Sequence, residues 1–266
     1  MKKRVISAII MILIFVPLLL LGGIFFAAFM TILSLMAMYE LMSIREKEKT
    51  FPSWIKFLAY LLIIFSSVLT YNQNVFSYTM SYQLIAFIIL VFLLPILMKE
   101  KSKDYNINDA LYLVSSLLFI NISFNLITVV RNYDLNYLIY LLLITVITDT
   151  FAYITGNYIG KNKLAPTISP NKTIEGFVGG CLMGTFVATT FYYTLIDPNI
   201  SIAMLVLTTL FLTVVGQLGD LVFSSIKRTY KVKDFSNLIP GHGGILDRFD
   251  SLIFVVLAFI LVMGII

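Results

Sequence analysis

The chain has 266 residues, of which 59% are hydrophobic and 12% charged, with a mean hydropathy of +0.95 and a formal net charge of +5. Soluble domains carry about 25% charged residues, so a water-soluble globule is excluded and lipid is the expected solvent for most of the surface. No basic stretch has the length or context of a nucleic-acid module, so no nucleic acid is expected as a partner, and the single cysteine, Cys181, rules out an intrachain disulfide framework.

A helix needs about 20 apolar residues to cross the hydrocarbon core. Nine such runs follow one another, at roughly 5–21, 24–43, 54–71, 80–98, 109–130, 136–156, 176–196, 201–224 and 248–266. The first follows Met1-Lys2-Lys3-Arg4. It is too long for a signal peptide and ends in Gly22-Gly23 without a cleavage pattern, so it reads as a retained span. Pro95 is expected to kink the fourth. The predicted fold class is all-α, a polytopic transmembrane helical bundle of about nine spans, with no repeat and no soluble domain. Residues 1–130 form a membrane scaffold of about five spans, and 131–266 a catalytic membrane region.

Orientation follows from the Lys and Arg residues in the loops. With the N-terminus cytosolic and the C-terminus external, 18 of the 19 basic residues face the cytosol. These are Lys2, Lys3, Arg4, Arg45, Lys47, Lys49, Lys56, Lys99, Lys101, Lys103, Lys161, Lys163, Lys172, Lys227, Arg228, Lys231, Lys233 and Arg248; only Arg131 lies outside. The external connections, Gly22-Gly23, Tyr71 to Tyr78, Arg131 to Leu135 and Ile196 to Asn199, are short and nearly uncharged. Cytosolic loops 157–175 and 225–247 are instead dense in Gly, Pro, Lys, Asp, Asn and Ser, and read as built sites.

Chemistry concentrates around those two loops. Asp149 lies in the sixth span, Asp220 near the end of the eighth, and Asp247 and Asp250 at the start of the ninth. Three separate segments thus bring carboxylates to one side, where an unpaired one costs on the order of 3 kcal/mol and needs a basic side chain or a metal. Gly241, Gly243 and Gly244 let backbone N–H groups approach an anion, and the following helix adds its positive end. Lys227, Arg228, Lys231 and Lys233 supply charge for phosphates. Asp220 and Asp247 are hard oxygen ligands of the kind Mg²⁺ prefers. Together these point to phosphoryl or nucleotidyl transfer involving a lipid.

The stretch Ser224 to Asp250 reads Ser-x-apolar-Lys227-Arg228, four residues, Lys233-Asp234, then Pro240-x-His242-Gly243-Gly244-apolar-x-Asp247-Arg248-apolar-Asp250. It resembles the signature of the bacterial-type phosphatidate cytidylyltransferase (CDP-diacylglycerol synthase) family. A second block agrees: Asp149 to Gly156, Gly160-Lys161, and Ser169-Pro170-Asn171-Lys172-Thr173-Ile174-Glu175-Gly176, with Gly219-Asp220 between the two. Ile174 departs from the Trp that many relatives carry.

The resemblance implies transfer of CMP from CTP to phosphatidic acid, giving CDP-diacylglycerol and pyrophosphate, at a cytosol-facing site in the bacterial plasma membrane. The implied cofactor is Mg²⁺, alone or with a second metal ion, on Asp220 and Asp247, with Asp149 as a further ligand or as a residue that orients a cationic partner. Lys172, Lys227, Arg228 and Arg248 are expected to hold phosphates, and Gly243, Gly244 and Asp250 to line the substrate site. Membrane lipids surround the chain, and a homodimer is the implied assembly.

His242, the single histidine, sits between glycines and is assigned to phosphate contact or ligand orientation. Lys233 and Asp234 are candidates either to pair and shape their loop or to contact substrate, and Glu175 to act as a ligand, a helix-terminal charge or a partner of Lys172. Ser169 with Pro170 reads as a helix N-cap and first-turn proline, with a phosphate contact open to it. Gly176, Gly180 and Gly184 recur every four residues, as in close helix packing. Two rival functions are a CTP-dependent polyprenol or lipid kinase, which would release CDP, and a transporter. The transporter should carry polar groups through the full membrane depth, whereas here they collect at one side.

Overall fold

A computed structural model describes residues 2–71, 73, 82–97 and 105–263, with side chains from Val5 onward. The orientation assignments for the side chains of Lys2, Lys3 and Arg4, for Lys99, Lys101 and Lys103, and for most of the Tyr71–Tyr78 connection lie outside the described residues.

Among the described residues the chain forms nine α-helices: α1 (Lys2–Leu21), α2 (Gly23–Arg45), α3 (Ser53–Thr70), α4 (Tyr82–Leu93), α5 (Ile107–Tyr133), α6 (Leu135–Ile159), α7 (Ile174–Leu195), α8 (Ile202–Thr229) and α9 (Leu246–Val262). Six of them, α2, α3, α5, α6, α7 and α8, are long and apolar enough to cross a membrane. Shorter apolar stretches run over Val5–Leu21 and Tyr82–Leu97. Pro95 has no N–H to continue the ladder of α4, and the helix gives way to a 3-10 turn at Leu94–Leu97. Large apolar side chains such as Leu13, Phe57 and Leu182 stand on the outer faces, an arrangement suited to lipid.

The helices fall into two compact units. The first holds Met1–Tyr133 and Phe235–Ile245. Its core packs Met38, Met42, Ile55, Ile63, Ile88, Phe92 and Leu113 from α2 to α5. Polar ties close both ends. At one end the buried Asp109 accepts from Arg45 at 3.2 Å and Lys49 at 3.0 Å. At the other, Arg131 donates to the carbonyls of Leu19 and Leu20, both at 2.8 Å, capping the C-terminus of α1. Asn132 accepts from Gly23 N and donates to Tyr71 O. Gly22 takes a φ of 63°, and a side chain there would collide with the Arg131 guanidinium.

The second unit holds Asp134–Asp234 and Leu246–Ile266. Gly176, Gly180 and Gly184 do serve close packing: a Cβ at Gly180 would lie 2.7 Å from Thr148 O, and one at Gly176 would lie 2.6 Å from Ala152 O. α7 therefore lies directly on the backbone of α6. Gly216 and Gly219 instead make room on α8 for the side chains of Val255 and Phe254 of α9. Between α6 and α7 the chain forms an antiparallel hairpin, β1 (Lys163–Ala165) with β2 (Ser169–Thr173).

This hairpin corrects one expectation. Ser169 and Pro170 do not open a helix. They sit in β2, where Ser169 pairs with Ala165 and Thr173 with Lys163. A two-stranded sheet leaves one edge of each strand unpaired, so a residue without an N–H is tolerated there. Thr173 is the actual N-cap of α7, its hydroxyl accepting from Gly176 N at 3.1 Å.

Candidate active site

The second unit contains a cavity of about 680 Å³. α6 lines it with Asp149, Ala152, Tyr153, Gly156 and Asn157, followed by its C-cap Gly160. Their three- and four-residue spacing makes one stripe along the helix. The hairpin contributes Lys163, Leu164, Asn171, Lys172 and Thr173, and α7 adds Gly176 and Phe177. From α8 come Gln217, Asp220 and Lys227, which share a face at intervals of three and seven residues. Asp234 follows, and the first turn of α9 completes the lining with Asp247, Arg248 and Asp250.

Five carboxylates and four cationic groups thus share one space. Two pairs are formed among them. Lys172 Nζ meets Asp220 Oδ2 at 2.5 Å, with both side chains about one-quarter exposed. Lys227 Nζ meets Asp247 Oδ1 at 2.7 Å, and this pair is buried. Ser224, one turn along α8, donates to the other oxygen of Asp220 at 3.3 Å. Burying a charge without a partner costs several kcal/mol, so each aspartate fixes a lysine where an anionic substrate can reach it. The arrangement suits a polyanion, since phosphates can take over the lysines while the carboxylates turn to a cation.

The carboxylate oxygens of the cavity are of the kind a divalent metal prefers. Asp149, Asp220, Asp247 and Asp250 present hard oxygens to the same cavity, and Mg²⁺ needs only one or two protein carboxylates, completing its shell with water and phosphate. Among the described residues no three acidic, His or Cys groups form a ready cage, so substrate oxygens would complete any such site.

Of the residues singled out in the sequence, the cavity gathers Asp149, Lys172, Asp220, Lys227, Asp234, Asp247, Arg248 and Asp250. Others do different work. Arg228 donates to Ile168 O at 3.2 Å and Val232 O at 2.9 Å, tying the hairpin turn to the end of α8. Glu175 is not the partner of Lys172. Its carboxylate accepts from the N–H groups of Lys161 and Asn162 and from the Asn162 amide, closing the turn after α6. Lys233 is exposed, and no ion pair joins it to Asp234 among the described residues. Ser169 is half-buried in β2.

His242, Gly243 and Gly244 belong to the first unit. His242 Nδ1 lies 2.8 Å from Ser7 Oγ, which also donates to Pro240 O at 3.0 Å. Gly241 and Gly243 take φ of 81° and 85°, so the turn itself demands glycine at these two positions.

Sequence reasoning missed the cavity residues Tyr153, Asn157, Asn171 and Gln217. The four-residue spacing from Asp149 to Tyr153 and on to Asn157 was the signal for the first two. It also missed Glu40 of α2, which is fully buried and accepts from Ser236 Oγ at 2.6 Å and Ile245 N at 2.7 Å. A lone carboxylate inside an apolar run was the signal there.

Residues 2–266 match the cytidylyltransferase family. Among curated relatives, the phosphatidate cytidylyltransferase of Staphylococcus haemolyticus is 39% identical over 256 residues, covering 96% of each chain. Those of Staphylococcus saprophyticus and Staphylococcus aureus are 38% identical over the same length and coverage.

Proposed function

Since the chain belongs to the cytidylyltransferase family, we propose that it is a phosphatidate cytidylyltransferase, joining CMP from CTP to phosphatidic acid in phospholipid synthesis. The observation that carries this reading is the pair of Lys–Asp contacts, Lys172–Asp220 and Lys227–Asp247, on a single cavity with Arg248. In the reaction, a phosphate oxygen of phosphatidic acid forms a bond to the α-phosphorus of CTP. The bond from that phosphorus to the bridging oxygen breaks, and pyrophosphate leaves with the electron pair. Such transfer depends mainly on holding the two anions together and neutralising their charge.

Lys172, Lys227 and Arg248 do the holding, with Lys163 and the Asn157 and Asn171 amides beside them. The triphosphate takes up the ammonium groups that Asp220 and Asp247 now hold. Mg²⁺, when bound, supplies further charge neutralisation, and Asp220 and Asp247, with Asp149, are the residues to hold it.

The chain crosses a bacterial plasma membrane nine times with its N-terminus in the cytosol and the cavity facing the cytosol. The 18-to-1 partition of basic residues supports this. So do the end-to-end ties of the first unit, Arg45 and Lys49 to Asp109 at one end and Arg131 to α1 at the other. A homodimer is the assembly the family resemblance implies.

The test is an assay of purified protein with phosphatidic acid, CTP and Mg²⁺. CDP-diacylglycerol and pyrophosphate should appear in equal amounts. Release of CDP would instead mark a lipid kinase, and solute flux across vesicles without nucleotide turnover a transporter.

A further inference from the structure

Glu40 lies in the interior of α2, far in sequence from every motif residue, yet it is fully buried. A carboxylate at such a position persists only where it is satisfied. Its Oε1 accepts from Ser236 Oγ at 2.6 Å and from Ile245 N at 2.7 Å. These two donors stand at the two ends of the glycine turn, so one oxygen closes the turn at its base. Ile239 and Gly243 bridge across it, and Ser7 holds Pro240 and His242 near its tip.

Gly244 is fitted to this contact. Unlike Gly241 and Gly243 it has no left-handed φ, so its backbone would accept a side chain. The three atoms nearest to a Cβ added there all belong to the Glu40 carboxylate. The glycine leaves room for Glu40. The chain then enters α9 directly: Ile245 precedes Leu246, and Asp247 and Arg248 follow in the first turn, lining the cavity.

We propose that Glu40 is a positioning residue: by closing the 236–245 turn it sets the register at which α9 presents Asp247 and Arg248 to substrate phosphate. This rests on the cytidylyltransferase reading above. Turnover of CDP-diacylglycerol by the purified full-length protein should fall about 100-fold in Glu40→Ala, the scale expected when reacting groups are slightly misplaced. Because Glu40 acts through the first turn of α9, Glu40→Ala combined with Arg248→Ala should lose at least about 10-fold less than the product of the two single losses; losses that multiply in full would overturn the proposal.

Gly244→Ala probes the contact from the other side, even if Glu40→Ala does not fold. It should lose activity and regain most of it when Glu40→Asp draws the carboxylate back. Failure of that rescue counts against the proposal. An activity-independent readout separates this idea from the functional reading. The buried Ile245, replaced as Ile245→Cys, should react with maleimide at least about 10-fold faster once Glu40→Ala releases the turn. Unchanged labelling overturns the anchor whatever the enzyme makes. Enhanced labelling in a protein that makes no CDP-diacylglycerol would leave the anchor standing and remove the functional reading.

Discussion

Loop 157–175 folds into the β1–β2 hairpin and turns Lys163, Asn171 and Lys172 toward the cavity. The glycine-rich part of loop 225–247 instead closes on the helices of the first unit, through Ser7 of α1 and Glu40 of α2. Both loops carry dense polar motifs, and in sequence they look alike. Their difference shows that a motif mixes residues aimed at substrate with residues that brace the chain carrying them. Arg228 and Glu175 brace, with hydrogen bonds to backbone carbonyls and backbone N–H groups respectively. Lys172 and Lys227 are charges held in place by aspartates.

The sharpest way to break this division is at the aspartates. Asp220→Asn and Asp247→Asn should each lower turnover about 1000-fold or more, since an amide neither holds its lysine nor neutralises a bound cation. Both variants should still insert in the membrane. Asp247→Asn should melt at the lower temperature, because it strands the more deeply buried lysine. Rates near wild type in either variant would remove that residue from the site.

A smaller effect separates a substrate-facing cation from a bracing one. Lys172→Met should lower kcat/KM for CTP about 100-fold. Arg228→Lys should lower it only about 10-fold, through a loosened hairpin, because the native contacts of Arg228 are carbonyls and not cavity groups. The reverse order would place Arg228 on the phosphates and the hairpin lysine in support. The smallest effect concerns the start of α7. Thr173→Ala should destabilise the protein by about 1 kcal/mol through loss of the N-cap, while Ser169→Ala should leave the melting temperature nearly unchanged. Equal shifts for the two would contradict the hairpin register.

Much of this was legible from residue patterns. The helices follow the apolar runs to within a few residues, because in lipid every backbone group must be satisfied within its own segment and length alone marks a span. Asp149, Asp220, Asp247 and Asp250 were found because an ionisable group beside an apolar run is conspicuous. The pairing of Lys172 with Asp220, and not with its close neighbour Glu175, was not legible, since it depends on where β2 lies along α8. The role of Ser169 was misread for a related reason. A Ser-Pro pair suits a helix start as well as an edge strand, and only the ladder to Ala165 decides between them.

By itself, then, the order of residues determines a helical membrane protein, because hydropathy and helix length act locally. It also marks the segments that carry the chemistry. Which carboxylate meets which lysine, and that Glu40 and Ser7 hold the glycine turn, depend on contacts between residues as many as 235 positions apart. Spacing along a chain carries no record of such contacts, and they exist only once the helices have packed.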